Sequence, residues 1–400
     1  MSPEEIIKKV SDGVDAAKAG NALATYTECL PFFADGSLPL KSHYAFAWIL
    51  YYALHQSADS AVMERKRMLA NYFKLRVVTP HKLHSMILTE AVRLAKDARN
   101  AAFGNDKAEP FSLVSFMRLW NFANLRPGDW RRKKSPDGKP MSSLAEKVIT
   151  LYVSELQEKS LQPDPAFMQV MEQALAAFPD SFNLLSQRAA IHILAGEKEE
   201  ASRMLKAALL EAPGKFFLWS RLASVVDAAA QPHLQIALLF KALKAPGQEQ
   251  FKGKVRMALA ETLEARGSYP MALHELEKVK SLYEANGWHL SKRFNELLKK
   301  IPAGTVPADP TDAYRRVEHM ADEYVYDALP AIAVKKDYHK NPDPNKTGYG
   351  RPVAAWRVID ADGNKYWLTP SRHGIDPDLP LGTPLTIRLH ADKVVKASLD

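Results

Sequence analysis

The strongest local charge feature of the sequence is a run of four basic residues that directly follows Trp130. The run consists of Arg131, Arg132, Lys133 and Lys134. Such a run can neutralise the phosphates of DNA or RNA, and an aromatic ring beside it can stack on an unpaired base. The same residues also fit a solvated loop between two helices. The run is therefore a candidate nucleic-acid contact, with a plain surface loop as the alternative.

Patterns typical of metal sites and catalysis are weak in this sequence. His81 and His84 have a spacing that could ligate zinc, but the nearest carboxylate, Glu90, lies about two helical turns further on, which favours capping or surface roles. The acidic stretch 360–364 lacks the distal glutamate of a calcium loop and fits a turn better. No glycine-rich phosphate loop, nucleophile elbow or His-Glu-x-x-His motif occurs. We predict a non-enzymatic protein without metal or cofactor; an enzyme with a dispersed site is an alternative.

Length and composition are those of an ordinary soluble chain. Its 400 residues exceed what one core usually organises, which predicts two or more units. The formal net charge of +8 permits contact with nucleic acid or acidic partners without demanding it. The single cysteine, Cys29, lies in a helical pattern that predicts core packing. Neither a signal-peptide pattern nor a membrane-spanning apolar stretch is present, so we expect a cytoplasmic protein.

The first 160 residues carry the pattern of short amphipathic helices, which predicts an N-terminal helical domain over residues 1–160. Ser2 and Glu5 fit a capping box at the start of the first helix. The stretch from Tyr44 onward has aromatic and apolar residues on nearly all sides, which predicts a helix buried among its neighbours. Further helices are predicted at residues 21–33, 60–75, 80–99, 110–124 and 142–159.

A repeat is clearest between residues 161 and 301. Pro179 and Pro213 lie 34 positions apart. Three small residues between them would let two antiparallel helices approach closely: Ala189, Ala201 and Ala208. The period and these positions resemble the tetratricopeptide repeat family. The resemblance implies an α-solenoid whose concave surface binds a peptide or helix of a protein partner. An unrelated helical bundle is the alternative.

A second resemblance bears on biological context. Residues 116–146, together with the helix that contains Trp48 and with residues 84–88, resemble a family of uncharacterised helical proteins. That family is associated with bacterial mobile-element and conflict systems. The resemblance implies a place in a bacterial defence system and says nothing about chemistry.

The pattern changes after residue 301. Residues 302–322 read as a Pro-rich linker followed by a short helix at 311–322. Asp362-Gly363 then predicts a hairpin turn between two of five short strands. The strands are predicted at residues 331–335, 353–359, 365–369, 384–389 and 393–398. Because closure removes exposed strand edges, residues 323–400 are predicted to form a small β-barrel.

The order of features in this tail resembles a cold-shock or OB-type barrel. Residues 346–350 are similar to the basic-Gly-aromatic-Gly motif that comes first in this family. Residues 362–368 are similar to the turn and aromatic strand of its second motif. Residues 381–387 are similar to the Gly turn that leads into its fourth strand. In such barrels, exposed aromatic rings stack on bases while basic groups contact phosphates. The resemblance implies these contacts to single-stranded DNA or RNA: Tyr349, Trp356, Tyr366 and Trp367, with Lys346, Arg351, Arg357 and Lys365 around them.

The tail departs from the OB-type pattern at two places. Pro352 interrupts a stretch that continues with aromatic residues in the family, which argues for a strand edge or a bulge. Thr369 stands where the family has histidine. Alternation also separates Tyr366 and Trp367 onto opposite faces, so at least one of them is expected in the core. An SH3-like or other small barrel that docks a protein or caps the solenoid is the alternative.

These observations predict a mainly α fold, a tetratricopeptide-like α-solenoid followed by a small C-terminal β-barrel. The predicted function is that of a helical-repeat adaptor. It would bind a protein partner on its concave face and single-stranded nucleic acid through the barrel. The main alternative is a pure protein-interaction scaffold whose barrel docks a partner.

Overall fold

The computed structural model of the chain describes residues 1–58, 61–78, 81–102, 111–136, 138, 140–340, 355–370, 373–390 and 392–399. Most of the chain is helical, and a five-stranded antiparallel sheet lies near its C-terminus. The structure divides into two units, Met1–Pro179 (unit 1) and Asp180–Asp400 (unit 2). None of the helices in the described ranges has the combined length and apolar character that crossing a bilayer requires.

The first seven helices of unit 1 lie where the sequence predicted them, with ends shifted by a few residues, and an eighth follows. Their bounds are α1 Pro3–Ala16, α2 Ala22–Ala34, α3 His43–Gln56, α4 Val62–Tyr72, α5 Lys82–Ala102, α6 Leu113–Trp120, α7 Leu144–Glu158 and α8 Pro165–Ala177. α6 ends before the predicted residue 124 because Asn121 adopts a positive φ of 64°. The basic run, predicted as a loop, contains a two-residue strand, β1 Lys133–Lys134, paired with β2 Pro140–Met141.

Helix starts in unit 1 follow capping signals that are readable in the sequence. The Ser2 hydroxyl accepts a hydrogen bond from the Glu5 backbone N–H at 3.2 Å, and a Glu5 carboxylate oxygen accepts from the Ser2 N–H at 2.6 Å. Ser143 and Glu146 repeat this arrangement at the start of α7, where both residues are buried. Each box satisfies two backbone donors that the first helical turn leaves without a partner.

The core of unit 1 is rich in aromatic residues. Phe46 of α3 is fully buried and stacks with Tyr26 and Phe33 of α2. The prediction that α3 is buried on nearly all sides is wrong for one face, because Tyr44 is exposed. Cys29 is buried as predicted, and this burial raises the pKa of its thiol.

Unit 2 begins with successive helical hairpins, which agrees with the predicted mainly α fold; the solenoid arrangement stays a prediction. Its helices are α9 Phe182–Leu194, α10 Lys198–Glu211, α11 Phe216–Val225, α12 Pro232–Lys244, α13 Gly253–Glu264, α14 Tyr269–Ala285, α15 Lys292–Lys300 and α16 Thr311–Tyr326. Each helix from α9 to α14 packs against the next one along the chain. The first two hairpins start 34 residues apart, at Phe182 and Phe216.

Small and apolar side chains form one core that extends from α9 to α14, and a second cluster joins α13, α14 and α15. The three alanines singled out in the sequence, Ala189, Ala201 and Ala208, are fully buried in the first of these. α16 belongs to the same core, because it packs against α12 and buries Tyr314 and Ala321. The segment predicted as a short helix after a linker is therefore a longer helix that is integral to unit 2.

The C-terminal sheet contains all five predicted strands. They are β3 Ala331–Lys340, β4 Ala355–Asp360, β5 Lys365–Leu368, β6 Pro384–His390 and β7 Lys393–Leu399. Their order is β5-β4-β3-β6-β7 with antiparallel neighbours throughout. The outer strands β5 and β7 approach each other, so the sheet curls into a half-barrel.

The connection from β4 to β5 is the hairpin turn that the sequence predicted. Gly363 has a φ of 84°, which a residue with a side chain adopts only at a cost. The Asp360 carboxylate accepts hydrogen bonds from the backbone N–H groups of Asp362 and Asn364, at 3.0 and 2.8 Å, and from the Tyr366 hydroxyl at 3.0 Å. Hydrogen bonds led by the Asn364 side chain lower the pKa of Asp360. This carboxylate therefore serves to close the turn.

One side of the sheet packs on the helices of unit 2. Val395 of β7 joins the helical core, whereas Ala397 of the same strand belongs to the core of the sheet. Lys396 forms an ion pair with Asp322 of α16 at 2.5 Å. His390 of β6 lies 3.1 Å from Glu211 at the end of α10. Apolar and polar contacts thus hold the sheet against two helices.

Candidate nucleic-acid interface

Three large side chains meet on the outer face of the sheet and form what we call the outer-face cluster: Tyr338 of β3, Arg357 of β4 and Trp367 of β5. Strand pairing places Arg357 opposite both aromatic residues. The two rings meet edge to face, with centroids 6.3 Å apart and planes at 86°. The Arg357 guanidinium carbon lies 5.3 Å from the centre of the Tyr338 ring, within cation–π distance.

The cluster presents aromatic surface and positive charge to solvent. Trp367 is 53% exposed and Tyr338 is 47% exposed. In the adjacent row of the sheet, Ile359 pairs with Lys335 on one side and Lys365 on the other, and both lysines are exposed. Flat exposed rings next to ammonium groups suit stacked bases and their phosphates.

A β-bulge brings Tyr338 to this face. The pairing of β3 with β4 shifts register between Lys336 and Tyr338, which leaves Asp337 as the extra residue. Lys336 points inward, with its Nζ 4.1 Å from the centre of the Trp356 ring. Residues two positions apart in a regular strand face the same side, so Tyr338 would point inward with Lys336 if the strand were regular. The bulge therefore places Tyr338 on the outer face.

Asp337 orients the arginine of the cluster. Nε and Nη2 of Arg357 lie 2.7 and 2.6 Å from Oδ2 of Asp337. Both side chains are 33% exposed, so solvent screens this ion pair in part. The contact fixes the guanidinium beside the Tyr338 ring and also offsets its charge. A phosphate arriving at this face would compete with Asp337 for Arg357.

Two aromatic residues predicted as contacts face the other way. Trp356 is 0% exposed, lies in the core of the sheet, and donates from Nε1 to the Pro377 carbonyl at 3.1 Å. Tyr366 is half-buried against that core. Strand alternation turns both inward, so we remove them from the contact set. As expected from alternation, one member of the Tyr366 and Trp367 pair packs on the core.

The remaining predicted barrel residues divide into two groups. Arg357 and Lys365 are on the outer face with Trp367. Three further predicted contacts, Lys346, Tyr349 and Arg351, lie outside the described residues, and their role stays a prediction. Sequence reasoning missed Tyr338 and Lys335, which belong to β3. The basic and aromatic composition of that strand was the available signal.

The basic run lies in unit 1, and Arg132 stands apart from its three neighbours. Arg132 contacts Glu146 through Nε and Nη2 at 3.0 and 2.5 Å, and its guanidinium carbon lies 4.2 Å from the centre of the Phe178 ring. Burial alone would raise the pKa of Glu146, but hydrogen bonds from Arg132 and Ser143 outweigh it and lower that pKa. Arg132 is thus committed to the structure of unit 1 rather than available for phosphates. Arg131, Lys133 and Lys134 are exposed, and their contact with nucleic acid stays a prediction.

The two histidines of the weak zinc pattern have separate environments. His81 accepts a hydrogen bond from the Leu83 backbone N–H at 3.2 Å and lies 3.2 Å from the Tyr44 hydroxyl. His84 is buried against the Tyr72 hydroxyl. Within the described ranges, no group of three or more His, Cys, Asp or Glu side chains is arranged to hold a metal ion.

Comparison with known proteins places a family match on the helices of unit 2. Residues 185–321 match a domain of unknown function (DUF7017). The DUF7017 match starts within α9 and ends within α16, so it includes the helical hairpins and stops before the curled sheet. No curated protein matches the chain. The outer-face cluster therefore lies outside the matched domain.

Proposed function

We propose that the outer face of β3, β4 and β5 binds single-stranded nucleic acid, and that the helical hairpins act as a tetratricopeptide-like scaffold for a protein partner. The outer-face cluster carries the first half of this proposal, because it combines two exposed rings with a basic group. Trp367 and Tyr338 stack on bases in this view. Arg357, Lys365 and Lys335 neutralise phosphates. The protein acts by binding rather than by catalysis.

The strand order supports an OB-type interpretation of the sheet. β3, β4 and β5 form a meander, β6 returns to the free edge of β3, and β7 follows through a hairpin. OB-type barrels are five-stranded Greek-key barrels that bind oligonucleotides on the face of their second and third strands. In this sheet those positions are β4 and β5, which carry Arg357 and Trp367.

Removal of the Trp367 ring should measurably weaken the binding of single-stranded nucleic acid. Stacking of one base on an aromatic side chain is worth about 1–3 kcal/mol, so Trp367→Ala should weaken binding by roughly 5- to 150-fold. Fluorescence anisotropy of a labelled single-stranded oligonucleotide, titrated with the full chain at low and moderate salt, measures this change. Phe251→Ala is the matched control, because Phe251 is an aromatic residue of unit 2 that is 58% exposed and distant in sequence from the sheet.

The basic groups make a separate prediction about salt. Each phosphate contact to a single strand contributes about 0.7 to the slope of log affinity against log salt. Lys365→Ala and Lys335→Ala should therefore each reduce the slope by up to about that amount while leaving the fold intact. Absence of oligonucleotide binding by the full chain, or equal binding by Trp367→Ala and Phe251→Ala, would contradict the nucleic-acid proposal.

The scaffold half of the proposal rests on the succession of hairpins from α9 to α14. Stacked hairpins of this kind leave extended surfaces free for recognition. The N-terminal resemblance adds a bacterial defence context to the proposal. A helicase or nuclease encoded beside this protein would support that context.

Docking of a protein on the sheet is the second candidate function, and one observation favours it. Asp337 already neutralises part of the charge on Arg357, so the two rings of the outer-face cluster lie beside a cation that is partly offset. A protein partner retained at high salt in the absence of nucleic acid, and lost in Trp367→Ala, would support this candidate over the first.

A further inference from the structure

Unit 1 contains an open groove of about 660 Å³ that none of the functions above uses. It lies among the end of α2, the segment between α2 and α3, and the residues that follow α4. Its volume falls in the range of ordinary ligand sites. Its apolar floor consists of Leu30, Phe33, Leu38 and Leu40. Leu40 is 61% exposed, so the floor reaches the surface.

Basic residues also line the groove. Lys74 and Arg76 line it and are exposed, and neither forms an ion pair with an acidic residue in the described part of the chain. His43 accepts a hydrogen bond at Nδ1 from the Arg76 backbone N–H at 3.0 Å. The neutral imidazole therefore carries its proton on Nε2, where it is a donor. The residues that line the groove include no aspartate or glutamate.

We propose that this groove binds a peptide segment of a partner protein in which large apolar side chains alternate with acidic residues. The apolar floor would bury the large side chains, and Lys74 and Arg76 would pair with the carboxylates. Charge complementarity favours this occupant. Neither Lys74 nor Arg76 has an acidic partner among the described residues, and both line the groove together with the apolar floor. A ligand with two or more acidic groups and large apolar side chains would therefore match the groove. The proposal concerns unit 1 and is independent of the nucleic-acid function.

Other occupants fit the groove less well. A fatty acid has one carboxylate and needs an enclosed channel for its chain, whereas this floor opens to solvent at Leu40. A nucleic-acid strand stacks on exposed rings, but the single ring of the floor, Phe33, is half-buried and stacks on Phe46. An acidic, apolar peptide can contact the apolar floor and pair with the basic residues of the groove at the same time.

A peptide-display selection tests the proposal before the partner has been identified. A random peptide library is selected on the immobilised full chain and, in parallel, on the Lys74→Glu/Arg76→Glu variant. We expect the first selection to enrich peptides with alternating acidic and large apolar residues, and the second to lose them in favour of basic and apolar ones. Lys8→Glu/Lys18→Glu is the matched control, because it makes the same charge change at exposed residues of unit 1 outside the groove.

The affinities of one enriched peptide for the variants then distinguish the contribution of charge pairing from that of apolar contact. Anisotropy of the labelled peptide should show about a tenfold or greater loss of affinity in Lys74→Glu/Arg76→Glu, and little change in Lys8→Glu/Lys18→Glu. Leu40→Ser, at a position that is 61% exposed, should also weaken binding by several-fold. Failure of the library to enrich any acidic, apolar pattern would overturn the proposal. So would enrichment that survives the charge reversal, or binding of sodium laurate in place of peptides.

Discussion

Two tryptophans of the C-terminal sheet should respond to truncation in opposite ways. Trp356 of β4 is fully buried, whereas Trp367 of β5 is half exposed on the outer face. The perturbations are Trp356→Ala and Trp367→Ala, introduced singly in the full chain. The first should cost stability, and the second should cost affinity for single-stranded nucleic acid.

The magnitudes follow from the contacts of each ring. Removal of a fully buried tryptophan costs about 3–5 kcal/mol. At Trp356 it also leaves the Pro377 carbonyl without its 3.1 Å donor and the Lys336 ammonium without the ring 4.1 Å away. Trp367 loses chiefly its edge-to-face contact with Tyr338, worth about 0.5–1.5 kcal/mol. A gap of about 2 kcal/mol or more should therefore separate the two variants.

Hydrogen exchange read by mass spectrometry is the suitable assay, because the chain has two units and global unfolding curves would mix them. Amides of β3, β4 and β5 should exchange about 30-fold faster in Trp356→Ala than in Trp367→Ala, since each 1.4 kcal/mol is tenfold. Amides of unit 1 serve as the internal control. Equal exchange in the two variants, or faster exchange in Trp367→Ala, would mean that the two faces of the sheet are assigned the wrong way round.

Two further predictions concern buried carboxylates. The folded-state pKa of Glu146 lies below its ordinary value of 4.5, so the stability that its ionised form contributes is present above that pH and is lost as pH falls through the folded-state pKa. Hydrogen-exchange protection of the α7 amides, corrected for the intrinsic exchange rate at each pH, should therefore drop in acid, and Glu146→Gln should flatten that dependence. Tyr314→Phe removes a 3.0 Å hydrogen bond to the buried Glu275 carboxylate and should destabilise unit 2 by about 1–3 kcal/mol, measured as faster hydrogen exchange of the amides of α14 and α16. Tyr338→Phe, at an exposed position, is the control, and equal effects would contradict this account.

Helix and strand positions were predictable because their signals are local. The Ser2 and Glu5 pair, the proline spacing and the Asp362-Gly363 turn each depend on a few neighbouring residues, and each has the expected conformation or lies at the expected boundary. Trp356 was predicted as a nucleic-acid contact, although its burial could have been predicted from the sequence. Trp356 and Val358 alternate with Arg357, a pattern that turns the two apolar residues inward.

Other features depend on contacts that no local pattern specifies. The bulge at Asp337 changes which face Tyr338 occupies, and it arises from pairing with β4 rather than from β3 alone. The role of α16 depends on α12 and on Glu275, which are distant in sequence. The groove of unit 1 likewise joins Leu30, Leu40 and Arg76, which the chain brings together only by packing three separate segments.

The shared position of β7 makes the sheet and the helices thermodynamically inseparable. Because Val395 completes one core and Ala397 the other, neither can melt without uncovering apolar side chains of its neighbour. Any ligand that binds the folded sheet would then also raise the stability of α10 and α16, on which the sheet packs. Under the proposed function, a ligand on the sheet would therefore also protect these helices from local opening.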